Sequence, residues 1–275
     1  MAEEKCPFRL ALWKAEKSIT SVLPKGWTYQ QLGTLAMSFV PKWKQQTDRQ
    51  GNPIRVSYDS FVSAVIKAAQ CALLPDGRRG HLKVRWSSRL QCHEVVFEPG
   101  YQGLIELVKK ANPKISVFTA ACLYSEDKYH AVRGNPMVFA HEEPRPGTPR
   151  GTKQAAYALT IQTDGGADWE TIDLAELAKI RNCSSSKDRH GNLIGPHKDW
   201  EDEMDKKAAI KRLAKRLDQT AELAAAIAAD NEQFDPQRAS APRVVELPAA
   251  PPEPVEIDTA NKAPPKQPDP FAPED

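Results

Sequence analysis

The sequence predicts an α+β fold: a central antiparallel, hairpin-rich sheet flanked by N- and C-terminal helices, with a disordered Pro-rich C-terminal tail. Three observations predict it. Apolar residues recur at helical spacing near both ends of the body, while its middle alternates at strand spacing. Turn signals such as Asp164-Gly165-Gly166 join neighbouring strands directly, which favours antiparallel pairing. Beyond Phe234 the chain carries eleven of its 23 prolines and one aromatic, Phe271, too little apolar surface to offset the entropy of ordering. There is no βαβ alternation, which argues against a doubly wound nucleotide-binding fold.

Residues 1–57 read as an N-terminal helical region. A helix over 8–22 ends at Pro24 and Gly26, and a second over 29–40 places Leu32, Leu35, Ala36 and Phe39 on one face. Phe8, Leu12, Ile19 and Leu23 lie beyond the central sheet and are expected to contact a neighbouring subunit. The basic, polar stretch 41–56 reads as a loop.

Residues 58–233 read as the α+β core. Asp59 or Ser60 is suited to cap a helix over 61–73, whose inner face is Phe61, Val65, Ile66 and Ala69, before a turn at Pro75-Asp76-Gly77. Strict alternation over 81–86 puts His81, Lys83 and Arg85 on one face and Leu82, Val84 and Trp86 on the other, Trp86 being assigned to the core. Residues 92–97 are its partner strand. A helix over 101–111 follows Pro99-Gly100 and stops at Asn112-Pro113. Strands are expected over 114–124, with 128–132 as its neighbour, then 154–163 and 168–172 after a loop at 142–153. Helices over 174–181, 198–217 and 221–231 complete the body, and 234–275 is the tail.

The helix over 200–217 is the most informative segment. Ile210, Leu213 and Leu217 form a narrow apolar seam, and Lys207, Lys211, Arg212, Lys215 and Arg216 cover the rest of the circumference. Such a row is suited to neutralising a polyanion. Lys83 and Arg85 on the hairpin, Arg78 and Arg79 in the preceding turn, and Arg181 extend the set of candidate contacts to such a polyanion. Tyr101, between Gly100 and Gly103, is the aromatic best placed to stack on a base, because glycines allow close backbone approach. Trp200 anchors the helix, and Glu201, Asp202, Glu203 and Asp205 suit its first turns through the macrodipole.

Charge is divided unevenly. Residues 235–275 hold eight carboxylates and four basic side chains, a balance of −4, so the body carries +6 within an overall +2. A basic body with an acidic tail fits a nucleic-acid partner. Five scattered cysteines without a C-x-x-C pair imply reduced thiols and a cytoplasmic setting, and no apolar run approaches the length of a membrane helix.

Catalytic patterns are missing from the text. Gly147-Thr-Pro-Arg-Gly151-Thr152-Lys153 has neither the spacing nor the following helix of a phosphate-cradling loop, so no ATP site is expected. Cys71, His81, Cys92 and His93, and likewise Cys183, His190 and His197, lack closely paired zinc ligands. Glu94, Glu98, Glu126 and Asp127 are candidates for a nuclease metal by composition alone, and Glu126-Asp127 fits a strand-ending turn better. The expectation is a binding protein with no catalytic residue and no metal ligand, the alternative being a metal-dependent nuclease or other DNA-processing enzyme.

Several blocks, in order, resemble the RecT family of phage and prophage single-strand annealing proteins. They are FVSAVIKAAQCALLPDGRRGHL from Phe61, EPGYQGLIELVKK from Glu98, the Tyr124…Glu126-Asp127-Lys128-Tyr129 turn, Ala156-Tyr157-Ala158, and GPHKDWEDEMDKKAAIKRLAKRL from Gly195. Cys71-Ala72 stands where the family often has a glycine. The resemblance spans roughly residues 8–230. It implies ATP-independent binding of single-stranded DNA and pairing of complementary strands, by subunits assembled into rings or helical filaments. It also implies a 5′→3′ exonuclease partner, a host single-strand-binding protein, C-terminal partner contacts, and no cofactor beyond Mg²⁺ steadying the annealed duplex.

Overall fold

The N-terminal segment folds as two short helices, α1 (Pro7–Lys14) and α2 (Glu16–Thr20), where periodicity alone predicts one. Ala15, at φ −95° and ψ 5°, breaks the helical run between them. This computed structural model describes residues 6–48, 51–134, 137–184, 190 and 192–232; the tail over 234–275 lies outside the described residues. Phe8, Leu12 and Ile19, expected at a subunit contact, are buried in the chain's own core instead. Leu23 packs half-buried against the same core.

α3 (Tyr29–Met37) opens with a capping box in which Thr28 and Gln31 satisfy each other's backbone N–H groups. The predicted loop that follows contains a further helix, α4 (Val40–Lys44). Pro41 suits its first turn, and burial of Trp43 among Phe8, Phe39 and Phe61 holds it. α5 (Tyr58–Gln70) is capped by Ser57, whose hydroxyl accepts the Ser60 N–H, one turn earlier than the sequence suggests. Its buried face, Phe61, Ala64, Val65, Ala68 and Ala69, follows helical spacing. The Phe61 and Val65 side chains contribute about 1.5–3 kcal/mol each by leaving water.

α5 ends in a Schellman motif. The Leu73 N–H reaches the Ala68 carbonyl at 3.1 Å and the Ala72 N–H reaches that of Ala69 at 2.9 Å, with Ala72 at φ +50°. The turn leads into β1 (Gly80–Ser87), which pairs antiparallel with β2 (Cys92–Pro99). The register aligns Leu82 with Phe97, Val84 with Val95 and Trp86 with His93, so these pairs share one face of the hairpin. The core beneath that face runs out before its last pair. Trp86 is 56% exposed, against the expectation that it is core.

α6 (Tyr101–Ala111) leads to β3 (Ile115–Tyr124), followed by β4 (Lys128–Val132) and β5 (Val138–Glu142). β6 (Lys153–Gln162) and β7 (Ala167–Asp173) form the hairpin predicted around Gly165. The strands form three antiparallel sheets among the described residues, not one: β1-β2, β3-β6-β7 and β4-β5. β4, expected beside β3, pairs with β5, a strand the sequence does not announce; the neighbour of β3 is β6. α7 (Leu174–Asn182), α8 (Pro196–Asp199), α9 (Glu201–Ala214) and α10 (Ala221–Asn231) complete the described chain.

The core runs from Phe8 through Phe61 and Leu104 to Ala229, with α9 against β3, β6, β7 and α6. A smaller cluster of Leu123, Ala155, Tyr157, Leu159 and Trp169 lies on β3, β6 and β7, with Ala131 and Phe139 of the β4-β5 hairpin packed on it.

Candidate nucleic-acid interface

α9 is central to the fold, and this decides what its cations do. Ile210 and Leu213 are fully buried as the apolar seam requires, but Ala209, Ala214, Asp205 and Lys207 are buried too. A helix enclosed on that many sides needs carboxylates for its lysines and arginines, since an unpaired buried charge costs several kcal/mol. Other elements provide them. Lys207 Nζ lies 3.2 Å from Glu98 Oε1 of β2 and 2.7 Å from Asp230 Oδ1 of α10. Lys211 pairs with Asp230 Oδ2 at 2.6 Å. Arg212 makes a two-pronged contact with Glu176 of α7, and Arg216 pairs with Glu170 and Asp168 of β7.

The expected row of five open cations is therefore corrected. Four of them, Lys207, Lys211, Arg212 and Arg216, tie α9 to its neighbours. Lys215, just past the helix, is exposed and meets no carboxylate within ion-pair distance among the described residues. Burial of part of its stem and the nearby Lys211 charge lower its pKa. Arg181 is also turned inward, paired with Glu201 and with Asp205 at 3.9 Å. Glu201, Asp202 and Asp205 all surround Lys153 Nζ, at 2.7, 2.7 and 2.9 Å, while the Tyr124 hydroxyl donates to Asp202 at 2.5 Å. These acids do sit in the first turns of α9, and they also bind it to β6 and β3.

The candidate cations on β1 and the turn before it are partly exposed, as the ion-paired Arg212 and Arg216 also are, at 34% and 41% by side chain. Lys83 Nζ is 2.6 Å from Glu98 Oε2, and Arg85 reaches the same oxygen at 3.6 Å. Glu98 thus serves three cations, Lys207 included. Burial pushes its carboxyl pKa up, but Lys207, Lys83 and Arg85 outweigh burial and hold it below the ordinary value. His81, on the same strand face, has a lowered pKa through burial and then the Lys83 charge. On the outer face of the hairpin Lys83 is 40% and Arg85 30% exposed by side chain, and Glu94 and the buried Glu98 share that face, opposite Arg85 and His81.

The preceding turn adds Arg78 and Arg79. The Asp76 carboxylate accepts both their backbone N–H groups and the Arg79 guanidinium, at 2.9, 2.7 and 2.7 Å. Burial alone raises the Asp76 pKa, but these donors bring it below the ordinary value. Arg78, exposed, makes no side-chain ion pair among the described residues. With Lys109 and Glu106 of α6, the turn lines a depression of about 510 Å³.

Gly100 and Gly103 serve that turn. A Cβ on Gly100 would stand 2.2 Å from the Arg78 carbonyl oxygen, and one on Gly103 would stand 2.3 Å from that of Arg79. The close backbone approach expected of these glycines is made by the chain itself, with the Gly100 N–H donating to the Arg79 carbonyl at 2.9 Å. Tyr101 between them is half-buried against the core, so its ring is only partly available for stacking.

The sequence misses one polar cluster almost entirely. Asp127, whose side chain is fully buried, accepts from Arg150 at 2.9 and 2.5 Å and from the Tyr124 N–H at 2.9 Å, with His141 Nε2 at 3.1 Å. The other His141 nitrogen meets the Tyr157 hydroxyl at 2.9 Å. The Arg150 hydrogen bonds pull the Asp127 pKa down to about 2, and burial pushes Tyr157 up to about 12. Asp127 does end the strand, as the sequence suggests, but its partners lie 14 and 23 residues away. Of the four carboxylates weighed for a nuclease metal, Glu98 and Asp127 are thus committed to cations on different elements. Among the described residues no three His, Cys, Asp or Glu side chains are placed to share a metal ion. No described helix is long and apolar enough to cross a membrane.

Comparison with known proteins converges on these elements. The chain is 28% identical to Protein RecT of Escherichia coli (strain K12) over 182 residues, covering 63% of each chain, so it matches less than two thirds of that relative's length. The RecT family model matches residues 33–245, from α3 through the hairpin and α9 to beyond α10. Most of the described fold, including every candidate cation named above, falls inside that match, and the chain belongs to the RecT family.

Proposed function

We propose that this chain binds single-stranded DNA and anneals complementary strands without ATP, as part of homologous recombination of the phage type. The observation that carries the reading is the RecT family match over 33–245, inside which Lys83 and Arg85 on the outer face of the β1-β2 hairpin lie. Annealing requires phosphates to be neutralised while base edges stay free to sample a second strand. Side chains that meet only phosphate do this, because counterion release carries no sequence information.

Alternate residues on a strand stand about 6.6 Å apart, so His81, Lys83 and Arg85 form a line continuing from the Arg78-Arg79 turn. We assign phosphate contacts to Arg78, Arg79, Lys83, Arg85 and Lys215. Arg181, Lys207, Lys211, Arg212 and Arg216 act chiefly by holding α9 in place. A few phosphate contacts per subunit bind weakly at physiological salt. Many copies along one strand overcome this, so the active form is an oligomer, ring or helical filament. Its partners are a 5′→3′ exonuclease and the host single-strand-binding protein, its setting is the bacterial cytoplasm, and Mg²⁺ serves only to steady the paired DNA.

The test is an annealing assay with labelled complementary oligonucleotides and Mg²⁺ but no ATP. Duplex is expected to appear faster than in a protein-free control. Shortened strands would replace this reading with a nuclease.

A further inference from the structure

α10 ends against its own dipole. A helix C-terminus carries partial negative charge and is stabilised by cations, yet the last turn of α10 holds no basic residue and carries Asp230, with Glu232 just beyond it. The cations come from elsewhere. Asp230 Oδ1 and Oδ2 take Lys207 at 2.7 Å and Lys211 at 2.6 Å, and Glu232 takes Lys67 of α5 at 2.9 and 3.1 Å. Burial pushes the Asp230 carboxyl pKa up, but the Lys207 and Lys211 charges outweigh it and keep it below the ordinary value.

Apolar packing holds the other end of the helix. Leu223, Ala226 and Ile227 are buried in its first turns, whereas the last turn buries one methyl, that of Ala229. Opening the final turn therefore breaks ion pairs while exposing little apolar surface. Of these pairs Lys67–Glu232, with side chains 23% and 33% exposed, is the one a polyanion at high local concentration reaches first, the buried Lys207–Asp230 pair being far less screened.

We propose that Asp230 and Glu232 form a carboxylate latch. They occupy Lys67, Lys207 and Lys211 in place of phosphates, and a nucleic-acid backbone arriving at the neighbouring hairpin face displaces them. The inference rests on the DNA-binding reading above and names how that same site is regulated. In the closed state Lys207 is shared between Asp230 and Glu98. With Asp230 withdrawn, Glu98 is left to Lys207, Lys83 and Arg85, and the positive potential of the hairpin face rises. The exchange conserves charge: carboxylates leave the lysines as phosphates arrive.

The experiment uses the full chain and a short single-stranded oligothymidylate. Binding is read by fluorescence anisotropy at low salt, and backbone amide exchange is followed by mass spectrometry. Amides of residues 228–232 are expected to exchange faster in the DNA-bound protein than in the free one. Glu232→Gln, which loosens the latch at its partly exposed end, is expected to lower the apparent Kd at least about threefold, because a larger fraction of molecules is already open. Binding with unchanged or slower exchange at 228–232, or with no gain in E232Q, overturns the latch and leaves the DNA-binding reading standing. No binding by either protein removes the DNA-binding reading and the latch with it.

Discussion

Lys207 Nζ lies 3.2 Å from Glu98 Oε1 inside the protein, joining the middle of α9 to the end of β2. Burial disfavours the ammonium, but Asp230 and Glu98 outweigh burial and raise its pKa. Removing the lysine leaves two buried carboxylates each with one cation fewer, Glu98 held by Lys83 and Arg85 and Asp230 by Lys211, a loss at the lower end of the about 3–5 kcal/mol that breaking a buried pair costs. Lys207→Ala is expected to lose that much in urea unfolding. Lys83→Ala removes a cation 40% exposed from the same carboxylate and is expected to cost under about 1 kcal/mol. Equal losses in the two variants would show that the α9 lysine is not held as described.

Gly103 touches a different restraint. Its missing Cβ leaves room for the Arg79 carbonyl oxygen, which would otherwise stand 2.3 Å away, and Leu73 Cδ2 closes the other side at 2.9 Å. Backbone cannot yield as a flexible side chain does. Gly103→Ala is expected to cost about 1–3 kcal/mol and to displace the turn carrying Arg78 and Arg79. Thermal unfolding measures the first effect, and weakened oligonucleotide binding by the surviving folded protein measures the second.

What was legible in the sequence follows the range over which each signal acts. The β1-β2 hairpin was readable because alternation of His81, Lys83 and Arg85 with Leu82, Val84 and Trp86 is a local property. Alternation gives the face, not how far the core extends, so the exposure of Trp86 was not readable. α4 escapes the sequence because Lys42 and Lys44, on either side of Trp43, obscure its one buried ring. β5 went unseen because only Phe139 and His141 point inward along its five residues. The roles of the α9 cations failed for a plainer reason: Glu98 is 109 residues from Lys207 and Glu176 is 36 from Arg212. A lysine bound for a buried carboxylate and one bound for a phosphate are written with the same letter.

Ala72 offers a stabilising change. It sits at φ +50° in the Schellman motif after α5, a conformation that costs a residue with a Cβ about 1–2 kcal/mol. Glycine removes that strain while adding flexibility to the unfolded chain, so the gains partly offset. Ala72→Gly is expected to stabilise by about 0.5–1 kcal/mol, read as a raised urea midpoint without change in the slope.

Acid is expected to weaken the fold in two stages. Burial, followed by Lys83 for His81 and by Lys207 for His197, lowers both imidazole pKa values, although Glu98 opposes the shift in each case, as do Asp76 for His81 and Asp205 for His197. The folded chain therefore refuses protons that the unfolded chain accepts near its ordinary value of about 6.5. Their contribution to stability is complete above that pH and is lost as the pH falls through the depressed folded values. Glu98 and Asp230, also lowered, add a second loss below about pH 4.5. Urea midpoints are expected to fall between about pH 7.5 and about pH 5.5, and His81→Gln is expected to flatten that fall. A midpoint that rises over the same interval would contradict the sign of both shifts.

Lys83 and Arg85 distinguish a phosphate-binding face from a merely basic one. If each neutralises a phosphate, binding of a single strand releases a counterion for each, and the logarithm of affinity falls with that of salt by about 0.7 per contact. Replacing both with alanine is expected to make the slope shallower by about 1.4, with the loss of affinity greatest at low salt. The loss is also expected to be similar for oligonucleotides of any sequence, because phosphates carry no base information. Both cations share Glu98 with the buried Lys207, so the double variant leaves that carboxylate one close partner on α9 and keeps the fold's deepest ion pairs. A double variant that binds with wild-type slope would move the phosphate path off the hairpin, toward the Arg78-Lys109 depression or Lys215.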